Sequence, residues 1–442
     1  MTPKSPDNSS QLFQSRLEQI LNPDHALVRL ACKMDWSALE DELAVCYSDE
    51  MGRPGCSTRL LVGLHYLKYA FDESDESVVE RWLENPYWQY FCGYQYMKHE
   101  CPLHPTTLVK WRQRVGAERM EVLVKGTIAT ALREKFIRPQ QLDTITVDTT
   151  VQEKAIAFPT DARLYYKALR RLGQLAKQRK IPLRQSYVRV SKRALARQSR
   201  YAHAKQFKRA GRETRKIKTW LGRIVRDIER KTDDMDGTLA MYLERSKRLL
   251  SQERHSSHKL YSIDAPEVEC ISKGKAHKRY EFGCKVAVAA TTWGNWVLTS
   301  RAMHGNPYDG HTLSNTIEGA ERCTDRAVKE VLVDRGYRGY KYAGLATVRI
   351  VKGFGKALSR SLKKRLRRRS AIEPTIGHMK HDNRMERNYL KGASGDAVHA
   401  VLCAAGYNMR KLISALLRAW CKWACRNLDN TFALRVARAR VA

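Results

Sequence analysis

The sequence predicts an α/β protein: an all-helical N-terminal block, then a sheet domain interrupted by a basic helical insertion. Three observations carry this reading. Apolar residues from Leu12 to about Phe136 recur at helical spacing with few β-branched runs. Two later strand-like segments, residues 142–147 and 331–333, each run straight into an aspartate. Between Ala162 and Arg212 there is no Asp or Glu, while Arg and Lys recur every few residues.

Composition narrows the class. The 442 residues suffice for roughly two to three domains with a sizeable core. Lys and Arg number 81 against 46 Asp and Glu, a formal charge of +35 that favours a polyanionic partner. No run approaches the ~18 uncharged apolar residues of a membrane helix. The opening MTPKSPDNSSQLFQSRLEQ lacks the apolar centre of a signal peptide. An intracellular protein with a nucleic-acid partner is expected. The 11 cysteines are scattered, as in reduced proteins. Cys92, Cys101 and His104 do not have a standard zinc spacing.

In the N-terminal block, Ser57 opens a helix after the breaker at residues 52–55, and Asn85-Pro86 stops another. Tyr87, Trp88, Tyr90 and Phe91 read as a small aromatic core. Pro105-Thr106-Thr107 starts a further helix, with Leu108, Trp111 and Val115 as its apolar stripe. Lys110, Arg112 and Arg114 are assigned to its other side. That combination fits a DNA-reading helix, and it also fits an ordinary solvated basic face.

Residues 142–147 alternate in β-forming types and end at Asp148. The segment 162–256 reads as a mostly helical insertion, with Tyr165, Tyr166, Leu169, Leu172 and Leu175 on one stripe and Trp220, Ile224 and Ile228 on another. Its basic faces suit phosphate backbones. Residues 279–292 and 296–303 form a hairpin around Gly294-Asn295. A helix starts at Asp309-Gly310-His311-Thr312 and runs to Thr324. It leads into the apolar run at 331–333, a buried strand by its continuity, which ends at Asp334. A short strand at 348–351, a basic helical run at 358–369 and a long amphipathic helix from Asp396 complete the chain.

Asp334 at the tip of a buried strand is either a turn cap or a ligand at the sheet edge. The second strand-end acid, Asp148, and Glu373 favour the latter. Three carboxylates on one edge can hold two Mg²⁺ ions for in-line phosphoryl displacement. Arg369, Glu373 and Lys380 fall at i, i+4 and i+11, one face of a helix. Ser370-x-x-Glu373 also fits a capping box, and Pro374 can start a helix that excludes Arg369.

The blocks VDTTVQEKAIAFPTDARL, KGKAHKRYEFGCKVAVA, GNPYDGHTL, VDRGYRG and IEPTIGHMKHDNRMERNYLKG occur in that order. On these the chain resembles the DDE transposases of bacterial insertion sequences, of the type named after insertion sequence five. The resemblance implies a ribonuclease-H-like mixed sheet with flanking helices, and Asp148, Asp334 and Glu373 as catalytic ligands of Mg²⁺ or Mn²⁺. It implies cleavage at terminal inverted repeats, strand transfer into target DNA, and a homodimer on paired ends in a bacterial cytoplasm, at the nucleoid. Arg369, Glu373 and Lys380 match the family signature, whose tyrosine position is Leu366 here. Asp161 is read as a helix N-cap. The expected divisions are a DNA-end-binding block at 1–136, a catalytic domain at 137–161 and 257–395, the insertion at 162–256, and a C-terminal helix at 396–442 packed on the catalytic domain.

Overall fold

The structure, a computed structural model, describes residues 14–47, 55–232, 237–253, 255–272, 279–351 and 359–439. The loose segment expected at 1–11, the breaker residues 52–54 and the start of the 273–289 block lie outside the described residues.

The chain divides into two compact units. The first comprises Met1–Gln152, Lys285–Met303 and Pro307–Ala442. It opens with seven helices: α1 (Leu17–Ile20), α2 (Ala26–Lys33), α3 (Trp36–Ala44), α4 (Thr58–Ala70), α5 (Asp75–Glu84), α6 (Pro86–Phe91) and α7 (Pro105–Arg133). Caps follow the sequence signals. Ser57 accepts from the Leu60 amide at the start of α4, and Asn85 accepts from Trp88 ahead of Pro86. Trp88 and Phe91 are fully buried, as a helical core requires. Gly116, at φ 72°, breaks α7 into two rods, a conformation that costs glycine little.

The sheet of this unit is built on β1 (Thr144–Lys154), whose last two residues belong to the second unit, with β3 (Tyr280–Thr291), β4 (Val297–Met303), β5 (Glu330–Val333) and β6 (Thr347–Ile350). The order runs β3-β1-β5-β6, and β4 pairs with β3. The Thr292 amide donates to Thr144 O, so the end of β3 meets the start of β1 and the two run antiparallel. β5 and β6 are parallel, as are β1 and β5. β5 is buried at every position and so shows no polar alternation. The expected hairpin forms, with β3 and β4 antiparallel around Gly294. β1 corrects the sequence expectation in one respect. It continues six residues past Asp148 to Lys154, so Asp148 lies within the strand and not at its tip.

The remaining elements of the first unit are α12 (Leu313–Thr324), α13 (Arg360–Arg368), α14 (Ile372–His381), β7 (Arg387–Asn388) and α15 (Gly392–Ala439). α15 packs against α7, α4 and β4 together. Its Asn408 is fully buried and bonds Thr127 Oγ1 of α7 and both backbone groups of Val297 in β4. The N-terminal helices and the sheet therefore share one core, where the sequence reading separates them at about residue 136. An amphipathic stripe identifies a buried face but not its partner.

The second unit comprises Glu153–Cys284 and His304–Asn306. Four helices fill it: α8 (Asp161–Gln178), α9 (Val188–His203), α10 (Phe207–Glu229) and α11 (Gly237–Ser251). Leu169, Leu172, Ile217, Leu221, Ile224 and Leu243 sit in one apolar cluster, which is where the two sequence stripes converge. β2 (Glu269–Ser272) pairs antiparallel with the first residues of β3. The cap of α8 is Thr160, whose hydroxyl accepts from the Arg163 amide; Asp161 is the first helical residue, one position past the cap it was expected to be.

Candidate active site

The two aspartates are brought together by strand register. β1 and β5 pair through Thr144–Glu330, Ile145–Val331 and Thr146–Leu332. Asp148 lies two residues past Thr146, and Asp334 two past Leu332. Side chains repeat every second residue along a strand, so both carboxylates leave the same face at the same edge. Burying Val331, Leu332 and Val333 anchors this register, each worth about 1.5–3 kcal/mol.

Each aspartate divides its two oxygens in the same way. Asp148 Oδ1 accepts from the Thr149 amide at 2.8 Å, and Asp334 Oδ1 accepts from the Gly336 amide at 2.8 Å. The second oxygen of each faces Arg369, at 2.9 Å for Asp148 and 3.4 Å for Asp334. One oxygen of Asp334 thus caps a turn, and the other faces Arg369 beside Asp148.

Glu373 completes the group. Its Oε1 lies 3.0 Å from Arg369 Nη1. A 3₁₀ turn at Arg369–Ala371 runs into α14 without leaving helical geometry, so Pro374 does not expel Arg369 from the face. Proline is tolerated in a first turn, where no amide donor is needed. The capping box does not form: the Ser370 hydroxyl donates to Arg367 O, and Glu373 turns to Arg369. Lys380 sits in the last turn of α14, two turns along the same face from Glu373. Leu366 is buried, so the position that carries tyrosine in the family signature packs inward here.

α13 holds Arg369 in place. Arg365 pairs with Glu330 at 2.8 Å, and Arg368 reaches Asn295 Oδ1 at 3.3 Å. The Arg369 side chain is only 14% exposed, and its Nε is buried with no hydrogen-bond partner among the described residues. One guanidinium thus stands where three carboxylates converge. It occupies the position a cation would take, with hard oxygen donors on three sides. Gly336 keeps the centre open: a Cβ there would meet Asp334 Oδ1 at 2.9 Å and Asp309 Oδ2 at 3.1 Å. Three carboxylates of this kind are chemically suited to a divalent metal.

A fourth acid, Asp309, was visible in the sequence only as a helix start. Its Oδ1 accepts from Thr149 Oγ1 at 3.0 Å and from buried Lys285 Nζ at 3.0 Å, while Lys285 also donates to Pro307 O at 2.6 Å. Asp309 thereby ties the residue after Asp148 to β3. Burial, reinforced by the Asp148, Asp309 and Asp334 carboxylates, holds the Tyr337 phenol well above its usual range. Asp309→Asn, which keeps the hydroxyl acceptor and removes the charge facing Lys285, is expected to lower catalytic turnover roughly 10–100-fold. Single-turnover cleavage rates check this, and an unchanged rate removes Asp309 from the account.

The expected basic face of α7 needs correction. Lys110 and Arg114 are exposed, but Arg112 is buried and forms a bidentate pair with Asp75 at 2.7 and 2.6 Å. The reason is periodicity. Residues 108, 111, 112 and 115 follow i, i+3, i+4, i+7, so Arg112 belongs to the apolar stripe and not opposite it. Lys68 joins the same carboxylate at 2.7 Å. Asp75 pays the desolvation that would raise its pKa, yet the Arg112 and Lys68 cations hold it far below the carboxylate range.

Two aspartates from neighbouring strand segments and a helical glutamate thus meet at one arginine. Two family models match parts of the chain. Residues 15–114 match a Transposase domain family (DUF772), and residues 352–413, which include Arg369, Glu373 and Lys380, match a Transposase DDE domain. The chain belongs to the DDE transposases of insertion sequences. It is also 50% identical over 208 residues to the "Uncharacterized protein ORF8 in nfe locus" of Rhizobium meliloti, covering 47% of this chain and all of that protein. No solved structure matches the chain. Transposases act on DNA, and no described helix is long and apolar enough to cross a membrane.

Proposed function

We propose that this transposase cleaves DNA at the terminal inverted repeats of an insertion sequence of the insertion-sequence-five type and joins the freed 3′-OH to target DNA. The observation that carries the reading is the convergence of Asp148, Asp334 and Glu373 on the Arg369 guanidinium. A ribonuclease-H-like core is supported by β1 standing central between an antiparallel β3 and a parallel β5.

Asp148, Asp334 and Glu373 would hold Mg²⁺ or Mn²⁺, which supplies activation of the attacking oxygen and charge neutralisation at the leaving one. The chain's own residues do the positioning. β1 and β5 fix two carboxylates by register, and α14 brings the third. Arg369 balances their charge and, released from them, is placed to meet a DNA phosphate, with Lys380 along the same face. Lys110 and Arg114 are the α7 side chains available for contact with element ends. The basic helices α8–α10 track phosphate backbones, and two copies act on paired ends.

The test is incubation of the full chain with duplexes carrying the element's ends and Mg²⁺, mapping the broken strands. Nicks at the repeat boundary that leave 3′-OH ends support the proposal; DNA binding without cleavage sinks it in favour of a non-catalytic DNA-binding protein. Arg369 gives a second readout that needs no DNA. Arg369→Gln is expected to cost about 1 kcal/mol of stability without metal, because three carboxylates then face one another. Mg²⁺ should raise the melting temperature of this variant more than that of the wild type. Equal shifts contradict the placement of Arg369.

A further inference from the structure

The second unit carries a recess that the DDE centre does not use. Its cavity of about 350 Å³ is lined by Arg184, Tyr187, Arg223, Arg226, Asp227 and Arg230, at the loop between α8 and α9 where it meets α10. The lining has four guanidiniums and one carboxylate. Arg223 and Arg226 on α10 and Arg230 at its C-cap follow i, i+3, i+7, and all are exposed, as is Arg184. Ile224, Val225 and Ile228 take the opposite, buried face. A helix needs no such clustering for solubility, and like charges grouped around one hollow repel.

The single acid offsets the charge of the hollow only in part: Arg230 Nη2 lies 3.7 Å from Asp227 Oδ1, and Arg184, Arg223 and Arg226 form no ion pair with it. Asp227 is buried and spent on the loop: its Oδ2 accepts from the Arg184 amide at 2.9 Å, and Lys231 lies 3.1 Å from Oδ1. Lys231 donates to Pro182 O as well. Loop and helix are thereby locked together, with the arginine side chains left around the opening. Gly222 contributes room, since a Cβ there would lie 3.3 Å from Arg226 Nη1.

Tyr187 is built into the same wall under strain. It adopts φ 51°, which bulky residues rarely take, and is held by its ring stacking on Trp220 at 6.0 Å and 12°. Arg223 donates to its hydroxyl at 3.4 Å. A strained aromatic, a buried acid used as a clasp and four converging guanidiniums make a rigid, preorganised anion site.

We propose that this recess seats the sugar-phosphate backbone of duplex DNA, with Arg226 and Arg230 each on a phosphate. The inference rests on the reading of the chain as a DNA-acting transposase and adds the place on the helical unit where the backbone is held. Guanidiniums match phosphate oxygens in geometry as well as charge. The recess is open and sequence-blind, so its contribution is to affinity and salt dependence, not to recognition of a particular repeat.

The experiment is fluorescence anisotropy of a labelled duplex with the full chain, titrated over a range of salt concentrations. For Arg226→Gln/Arg230→Gln, the slope of log K against log[salt] is expected to fall by about 1.8, at roughly 0.9 per phosphate lost. Arg245→Gln on α11, whose residue donates to Ile263 O at 2.8 Å in the same unit, should leave the slope unchanged. An unaltered slope in the double variant, with wild-type binding intact, overturns the recess while leaving the transposase reading standing. Failure of the wild type to bind any duplex overturns that reading, and the recess with it. Wild-type protein offers a check free of mutation: DNA should protect Arg226 and Arg230 from phenylglyoxal, read by mass spectrometry, and equal modification with and without DNA contradicts the site.

Discussion

Asp148→Ala, Asp334→Ala and Glu373→Ala are each expected to reduce Mg²⁺-dependent cleavage of element-end DNA on the order of 10³-fold or more, with DNA binding retained. Each variant removes one oxygen donor from a centre whose work is electrostatic, and in-line displacement depends on that charge being held at both the attacking and leaving oxygens. The three residues should behave as a unit, so a double variant loses little more than a single one. Glu373 is the most informative member. Its side chain is 63% exposed and pairs with Arg369, so its loss should cost almost no stability. A Glu373→Ala protein that melts like the wild type but does not cleave would mark a functional carboxylate; one that cleaves normally removes Glu373 from the centre.

Acid should unfold the first unit well above the carboxylate range, because two histidines are buried in it as neutral rings. His65 on α4 donates from Nδ1 to Leu61 O at 2.7 Å and accepts at Nε2 from Arg112 at 3.2 Å. His399 on α15 donates from Nε2 to Arg384 O at 3.0 Å and accepts at Nδ1 from the Tyr69 hydroxyl at 3.0 Å. Protonation gives each ring a second N–H, which then faces an existing donor in a fully buried site. Burial, with neighbouring cations, pushes both rings down to about 3. The folded pKa lies below the unfolded value of ~6.5, so this stability is present above pH ~6.5 and is lost as pH falls toward 3. At roughly 1.4 kcal/mol per pH unit for each ring, about 4 kcal/mol is gone by pH ~5, against a total of about 5–15. Melting curves at pH ~7, ~6 and ~5 check this. His399→Gln, which can still donate and accept, should remove about half the slope; a melting temperature independent of pH contradicts the neutral assignment.

How far these residues could be read from sequence depends on range. Local signals were enough for the Ser57 and Asn85-Pro86 punctuation, the hairpin at Gly294 and the apolar run before Asp334, since each depends on neighbours in the chain. Asp148 and Asp334 were singled out by the same logic, but their meeting depends on a parallel register that no local pattern encodes. The role of Asp309 has no local signal, because its partners, Thr149 and Lys285, are more than twenty residues away in sequence. For Arg112 the periodicity gives the face, since position 112 completes an i, i+3, i+4, i+7 stripe, but not the partner: that Asp75 meets the buried guanidinium is visible only in the fold. The shared core of α15, α4, α7 and β4 was out of reach for the same reason as the register, because a stripe does not name its partner.

The most direct test of the central claim is a calorimetric titration of Mn²⁺ into the DNA-free full-length protein and into Asp148→Ala/Asp334→Ala. The wild type should bind the ion, and the double variant should lose at least tenfold in affinity while keeping its melting temperature in the absence of metal. Mn²⁺ binding of equal strength in both proteins would contradict a carboxylate centre at Asp148, Asp334 and Glu373.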